Sequence, residues 1–248
     1  MLTAIIQARM NSSRLPGKVL KKVNNKSMLT YLIERIKNVP EINKIIISTS
    51  TNYKDDEIQQ YCEKNKILFY RGSENNLAER FFKTAKKFNS SNIIRLTGDC
   101  PLMDPKILSE QIKAFFQKNY DYCYLGLSFP EGICSDLFSI KVLDTIYKNA
   151  KSDFDLEHIT PFIKKNSNIF KIGEIKDKKD NSKYRFTLDY AEDFLLIEQI
   201  LKKLYKPDMP PFSSEEIIDF LNANNDVYNL NSHITRNEWS IGNEKLAK

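Results

Sequence analysis

The chain has 248 residues, 41% hydrophobic and 28% charged, enough for one large α/β domain or two small ones with a real core. Its net charge of +6 is spread over scattered lysine pairs with no stripe of basic and aromatic residues, which argues against a nucleic-acid module. Four cysteines without C-x-x-C spacing and only two histidines argue against structural zinc, and no apolar run is long enough to span a bilayer.

Short apolar runs alternate with longer amphipathic stretches. Strands are expected at 3–8 (TAIIQA), 44–49 (KIIIST), 67–72 (ILFYRG), 92–98 (NIIRLTG), 120–126 (YDYCYLG), 170–175 (FKIGEI) and 184–189 (YRFTLD). Helices are expected near 27–38, 54–65, 76–88, 105–118, 140–150, 155–165, 190–204 and 214–223. Most show apolar residues three and four apart, as Phe194, Ile197, Leu201 and Leu204 do. The alternation predicts an α/β fold with a mostly parallel sheet covered on both faces. The pattern weakens between 125 and 140 and again after KPDMPPFSS. A domain over 1–205 with a C-terminal extension over 206–248 is therefore expected. The N-terminus lacks a charged segment followed by a long apolar run, and unpaired thiols suit a reducing compartment, so a cytoplasmic protein is expected.

Ligands of open α/β sheets sit beyond the carboxyl ends of the strands. The loop after the first strand, ARMNSSRLPGK, carries Arg9, Arg14 and Lys18 among small residues. Such a loop turns tightly, aims backbone N–H groups inward and holds an anion such as phosphate. It matches neither the Walker pattern nor G-x-G-x-x-G. Asp99 ends one strand directly after Gly98, and a carboxylate there suits Mg²⁺ beside substrate phosphates. Asp104 before Pro105 reads instead as a helix cap. Asp189 followed by Glu192 also has the look of a near capping box.

The stretch A-R-x-x-S-x-R-x-P-G-K, Ala8 to Lys18, resembles the nucleotide-binding signature of sugar nucleotidyltransferases. It is most similar to the cytidylyltransferases that activate 3-deoxy-manno-octulosonate and acylneuraminate, especially their SpsF-like branch. The likeness continues through YRGSENNLAERF, RLTGDCPLMDP, EHITPFI, RFTLDYAEDF and NSHITRNEW. It implies a Rossmann-like fold similar to GT-A glycosyltransferases, transfer of CMP from CTP to a sugar acid or phosphorylated acceptor, Mg²⁺ as cofactor, and a homodimer. No nucleic-acid or membrane partner is expected.

The resemblance assigns Asp99 and Asp189 to the metal, and Arg9, Arg14 and Lys18 to the triphosphate and departing pyrophosphate. Ala8 and Ser12 belong to its nucleotide loop. Arg71 and Ser73 resemble the segment lining the base pocket, and Arg80 matches another family position. Glu131, Asp136 and His158 fall where relatives contact the acceptor. Relatives read P-D-G-L-D-V-E-V-F where this chain reads FPEGICSDLFS, so Cys134 stands in place of a carboxylate. His233, Arg236 and Trp239 match a family tail. Two alternatives compete with this reading: a GT-A-like glycosyltransferase, whose D-x-D motif appears here only as DFD at 153–155, and a nucleotide-binding scaffold without catalysis.

Overall fold

The computed structural model describes residues 1–236. Its apolar runs become β1 (Leu2–Gln7), β4 (Lys44–Ser50), β5 (Leu68–Gly72), β6 (Asn92–Thr97), β7 (Tyr122–Leu125) and β9 (Ile172–Ile175) of one seven-stranded sheet. A small hairpin of β2 (Lys22–Val23) and β3 (Lys26–Ser27) stands apart from it. The seventh strand, β8 (Asp136–Ser139), was not expected. Only Leu137 and Phe138 of its four residues are buried, which is too short for a readable period. It pairs antiparallel between β6 and β7, while every other pairing in the sheet is parallel.

The order β5-β4-β1-β6-β8-β7-β9 sends the chain outward from β1 in one direction and then back to β6 on its other side. That reversal opens a crevice at the carboxyl ends of β1 and β6, where doubly wound sheets bind ligands.

Helices follow the strands as the periodicity predicts: α1 (Met28–Ile36), α2 (Asp56–Lys64), α3 (Leu77–Lys87), α4 (Pro105–Lys118), α5 (Ile140–Asn149), α8 (Ala191–Leu204) and α9 (Ser214–Ala223), with a short α10 (Asn225–Tyr228). Asp104 caps α4 through the backbone N–H of Lys106, with Pro105 at its first position. Residues alternate between the two sides of the sheet. Ala4, Ile6, Ile94 and Leu96 pack with Leu29, Leu108 and Ile197, while Ile5, Ile93 and Phe138 pack with Phe81, Leu143 and Ile163.

Two expectations need correction. The helix near 155–165 is two helices, α6 (Asp153–Glu157) and α7 (Ile159–Lys165), broken at His158 with extended backbone. Pro161 lacks an N–H, and its ring would clash with the Glu157 carbonyl in a continuous helix. The run 184–189 is extended but forms no strand. It makes one bridge, Arg185 with Glu131, and its Leu188 N–H donates to the Asp99 carbonyl at 2.8 Å. Its neighbour turns away at Gly132, where φ is 100° and a Cβ would meet Thr187 N at 2.4 Å, so no ladder propagates. Beyond the prolines the chain returns to the same core through Phe212, Ile217 and Leu221, and Arg35 donates to the Phe212 carbonyl.

Candidate active site

The loop leaving β1 is pinned by backbone groups before its side chains act. Ala8 N–H donates to the Ser48 carbonyl, and Met10 N–H to Asp55 Oδ1 at 2.7 Å. The other oxygen of buried Asp55 accepts from the Ser50 N–H and hydroxyl, tying the loop to the end of β4. Gly17, with φ of 68°, closes the loop by donating to the Met10 carbonyl and delivers Lys18 into the crevice. Gly98 permits the close approach of β6. Its N–H donates to the Gln7 carbonyl at 2.8 Å, and a Cβ there would meet that oxygen at 3.1 Å and Ala8 Cβ at 3.2 Å.

Lys18 Nζ lies 2.5 Å from Asp99 Oδ2 and 2.8 Å from Asp189 Oδ1. Arg14 Nη2 reaches Asp189 Oδ1 at 2.9 Å. Burial by itself would push the Asp189 carboxyl up, but Lys18 and Arg14 outweigh it and hold the group below its ordinary range. Burial likewise opposes the charge on Lys18, yet the two aspartates raise its pKa. The ammonium is thus a permanent cation between two carboxylates that come from opposite halves of the chain.

Behind Asp189 stands a network that sequence reasoning missed. Arg185, with a side chain only 4% exposed, reaches Glu131 at 2.5 Å, Asp193 at 2.8 Å and Asp189 at 3.3 Å. Asp193 is fully buried and accepts from the backbone N–H groups of Asp189 and Tyr190 and from Asn231. The capping carboxylate of α8 is therefore Asp193 and not Glu192, and it fixes the turn that aims Asp189. An arginine and an aspartate eight positions apart, flanking Asp189, were the available signal.

These groups open onto a cavity of about 460 Å³ lined by Ala8, Arg9, Ser12, Arg14, Lys18, Arg80, Asp99, His158 and Asp189, all singled out from sequence. Gln7, Glu74, Arg95, Thr97 and Glu157 line it as well. Arg95 also escaped sequence reasoning, although a cation inside an apolar strand was its signal. Burial, with Arg95 and Arg9, holds the His158 imidazole below its ordinary pKa against the pull of Glu157.

Four further residues singled out from sequence lie elsewhere. The Arg71 guanidinium donates to the carbonyls of Ser50 and Asn52 and to the side chains of Asp56 and Gln59, clamping β5 to the start of α2. Ser73 Oγ accepts from the Asn76 N–H at the entrance to α3, and its carbonyl accepts from Arg80. Glu131 pairs with Arg185 beside a separate, smaller hollow. Asp136 on β8 pairs with Arg95 at 2.7 Å and accepts from the Tyr122 hydroxyl. Arg236 donates to the Leu127 and Phe129 carbonyls, His233 is exposed, and Trp239 lies outside the described residues.

The Cys134 thiol lies 3.7 Å from Cys100, whose own thiol is pushed well up by that contact and by burial and does not suit thiolate chemistry. Among the described residues no three His, Cys, Asp or Glu side chains are arranged to hold a metal ion. Asp99 and Asp189 nonetheless fit Mg²⁺, which commonly takes one or two carboxylates and draws its other oxygens from water and substrate phosphates.

Known proteins resemble this chain over most of its length. The spore coat polysaccharide biosynthesis protein SpsF of Bacillus subtilis is 35% identical over 230 residues, spanning 90% of this chain and 95% of SpsF. The solved structure of a cytidylyltransferase from Leptospira borgpetersenii superposes with a TM-score of 0.87 at 29% identity, covering 95% of this chain and 98% of that one. The structure of CMP:2-keto-3-deoxy-manno-octonic acid synthetase complexed with CTP shares the fold, with a TM-score of 0.62 at 15% identity over 82% of this chain and 98% of the other. A family profile described as Cytidylyltransferase matches residues 3–229, and with that match over nearly the whole length the chain belongs to the cytidylyltransferase family.

Proposed function

We propose that the protein transfers CMP from CTP to a sugar acid or related acceptor, with Mg²⁺, releasing pyrophosphate in the biosynthesis of a surface polysaccharide or glycoconjugate. The observation that carries this reading is the meeting of Lys18 and Arg14 with Asp99 and Asp189 at the carboxyl ends of β1 and β6. Nucleotidyl transfer needs charge neutralisation and in-line alignment rather than a covalent enzyme intermediate. Arg9, Arg14 and Lys18 hold the β- and γ-phosphates and stabilise the departing pyrophosphate. Asp99 and Asp189 would hold the metal, which when bound would neutralise phosphate oxygens and lower the pKa of the acceptor hydroxyl. Asp193 and Arg185 keep Asp189 aimed, and Asp55 keeps the loop in place.

The test is pyrophosphate release with each nucleoside triphosphate and Mg²⁺ across a panel of sugar acids, sugar phosphates and polyol phosphates. Release from CTP with one class of acceptor is expected. Asp99→Asn is expected to abolish most of it while the protein stays folded. Release with no acceptor, or equal rates in Asp99→Asn, overturns the assignment. A glycosyltransferase would release none from CTP.

A further inference from the structure

The cavity has a second cationic wall that the triphosphate assignment does not use. Arg95 lies on β6, the strand that leads to Asp99. Side chains alternate along a strand, so Arg95 and Thr97 share the face turned toward α3, and both line the cavity. At ~3.3 Å per residue, Arg95 sits roughly 7 Å farther from the strand end than Thr97. Its Nε donates to Gln7 and its Nη1 pairs with Asp136, which the Tyr122 hydroxyl holds in turn. Arg80 enters from α3. It is 5% exposed, and Nη1 donates to the Ser73 carbonyl at 2.6 Å. Its Nε is buried without a hydrogen-bond partner. A guanidinium with a purely structural role would have its buried donors satisfied.

Burial, then repulsion from Arg9 and Arg95, lowers the Arg80 pKa to about 10 in spite of Asp55 and Glu74. Glu74, which also lines the cavity, accepts from Asn52. Cations gathered in one cavity around an unsatisfied buried donor await an anion. The nucleotide tail already has Arg9, Arg14 and Lys18, beside Asp99 and Asp189.

We propose that Arg80 and Arg95 form an anion subsite for a carboxylate or phosphate group of the acceptor. The inference rests on the cytidylyltransferase reading above. Asp136 acts here as a positioning residue that orients Arg95, and an acceptor without an anionic group is excluded.

Two titrations of the full chain separate this inference from the reading beneath it. CTP is titrated first, by calorimetry with Mg²⁺ and no acceptor. Inorganic phosphate is then titrated into the CTP-saturated protein, whose tail site is filled. One further phosphate is expected to bind, at least tenfold more weakly in Arg95→Gln, with partial recovery in Arg95→Lys and unchanged CTP affinity in both. Arg95→Gln combined with Asp136→Asn leaves no unpaired carboxylate and serves if the single variant folds poorly. No phosphate binding to the CTP complex, equal binding in Arg95→Gln, or an equal loss of CTP affinity overturns the subsite. Failure of CTP itself to bind sinks the nucleotide reading instead. In that case phosphate titrated into the ligand-free protein must still weaken tenfold in Arg95→Gln, or the subsite falls too.

Discussion

Replacing Lys18 with methionine removes one charge from between two carboxylates while keeping most of the side-chain length. The ammonium contacts Asp99 at 2.5 Å and Asp189 at 2.8 Å, with 10% of the Lys18 side chain exposed, against 26% and 9% for the aspartates. Each contact is worth ~6 kcal/mol of gross Coulomb attraction at an effective dielectric of about 20, most of it offset by desolvation. Removing one partner of a buried pair costs about 3 kcal/mol net, because the remaining charges are left facing each other. Arg14 and Arg185 still touch Asp189, so the low end of the usual range applies. For a chain of this size the loss amounts to roughly 6–12 °C in Tm.

The same substitution frees the two carboxylates for a dication. Mg²⁺ without nucleotide should therefore stabilise Lys18→Met by ~2.7 kcal/mol at about 100 times its Kd, raising its Tm, and leave the wild type nearly unmoved. Turnover should nevertheless fall by about 10²–10³, since one preorganised cation of the phosphate site is gone. Thermal denaturation across a Mg²⁺ series, alongside pyrophosphate release, reads both effects. A Lys18→Met protein as stable as wild type and indifferent to Mg²⁺ would refute the bridging ammonium and the metal assignment together.

Asp193→Asn should cost about 3 kcal/mol in urea denaturation, because Arg185 loses its fully buried counter-ion; an unchanged midpoint contradicts the positioning role. Gly98→Ala places a methyl 3.1 Å from the Gln7 carbonyl, which cannot rotate aside, and should raise the KM for CTP about tenfold with little change in Tm. A fall in Tm without a change in KM would remove Gly98 from the site. With pH, the Asp189 carboxyl is held below its ordinary 3.8, so its stabilisation is present above that value and lost as pH falls through the depressed pKa. Lys18 is held above 10.5, so its share is complete below that value and lost only as pH rises through the raised pKa. The stability gap between wild type and Lys18→Met should therefore narrow as pH falls through the acid range, and a gap that stays constant would contradict the coupling.

Local pattern reached far into this fold. The runs at 44–50 and 92–97 are apolar because both faces of a central strand are covered, and Asp104–Pro105 starts its helix with short-range chemistry alone. The cation-rich loop after β1 was legible for a related reason, since its glycine and cations lie within eleven consecutive residues, Ala8 to Lys18. Elements of few residues were not legible. β8 has two buried positions, and no period can be read from two.

The site divides along the same line. Sequence by itself determined which side chains were available: cations after β1, a carboxylate after β6 and another just before α8. Only the tertiary structure decided who meets whom, because Lys18 finds its partners 81 and 171 positions away and Asp136 serves Arg95 across a strand pairing that no local signal announced. Arg71 and Arg80 look equivalent in a list of arginines. One is spent on carbonyls and side chains at the start of α2, and the other keeps a buried N–H with no partner in the cavity wall. Hydrogen bonding and Coulomb attraction act over a few ångströms of space, and folding alone converts distance along the chain into distance in space.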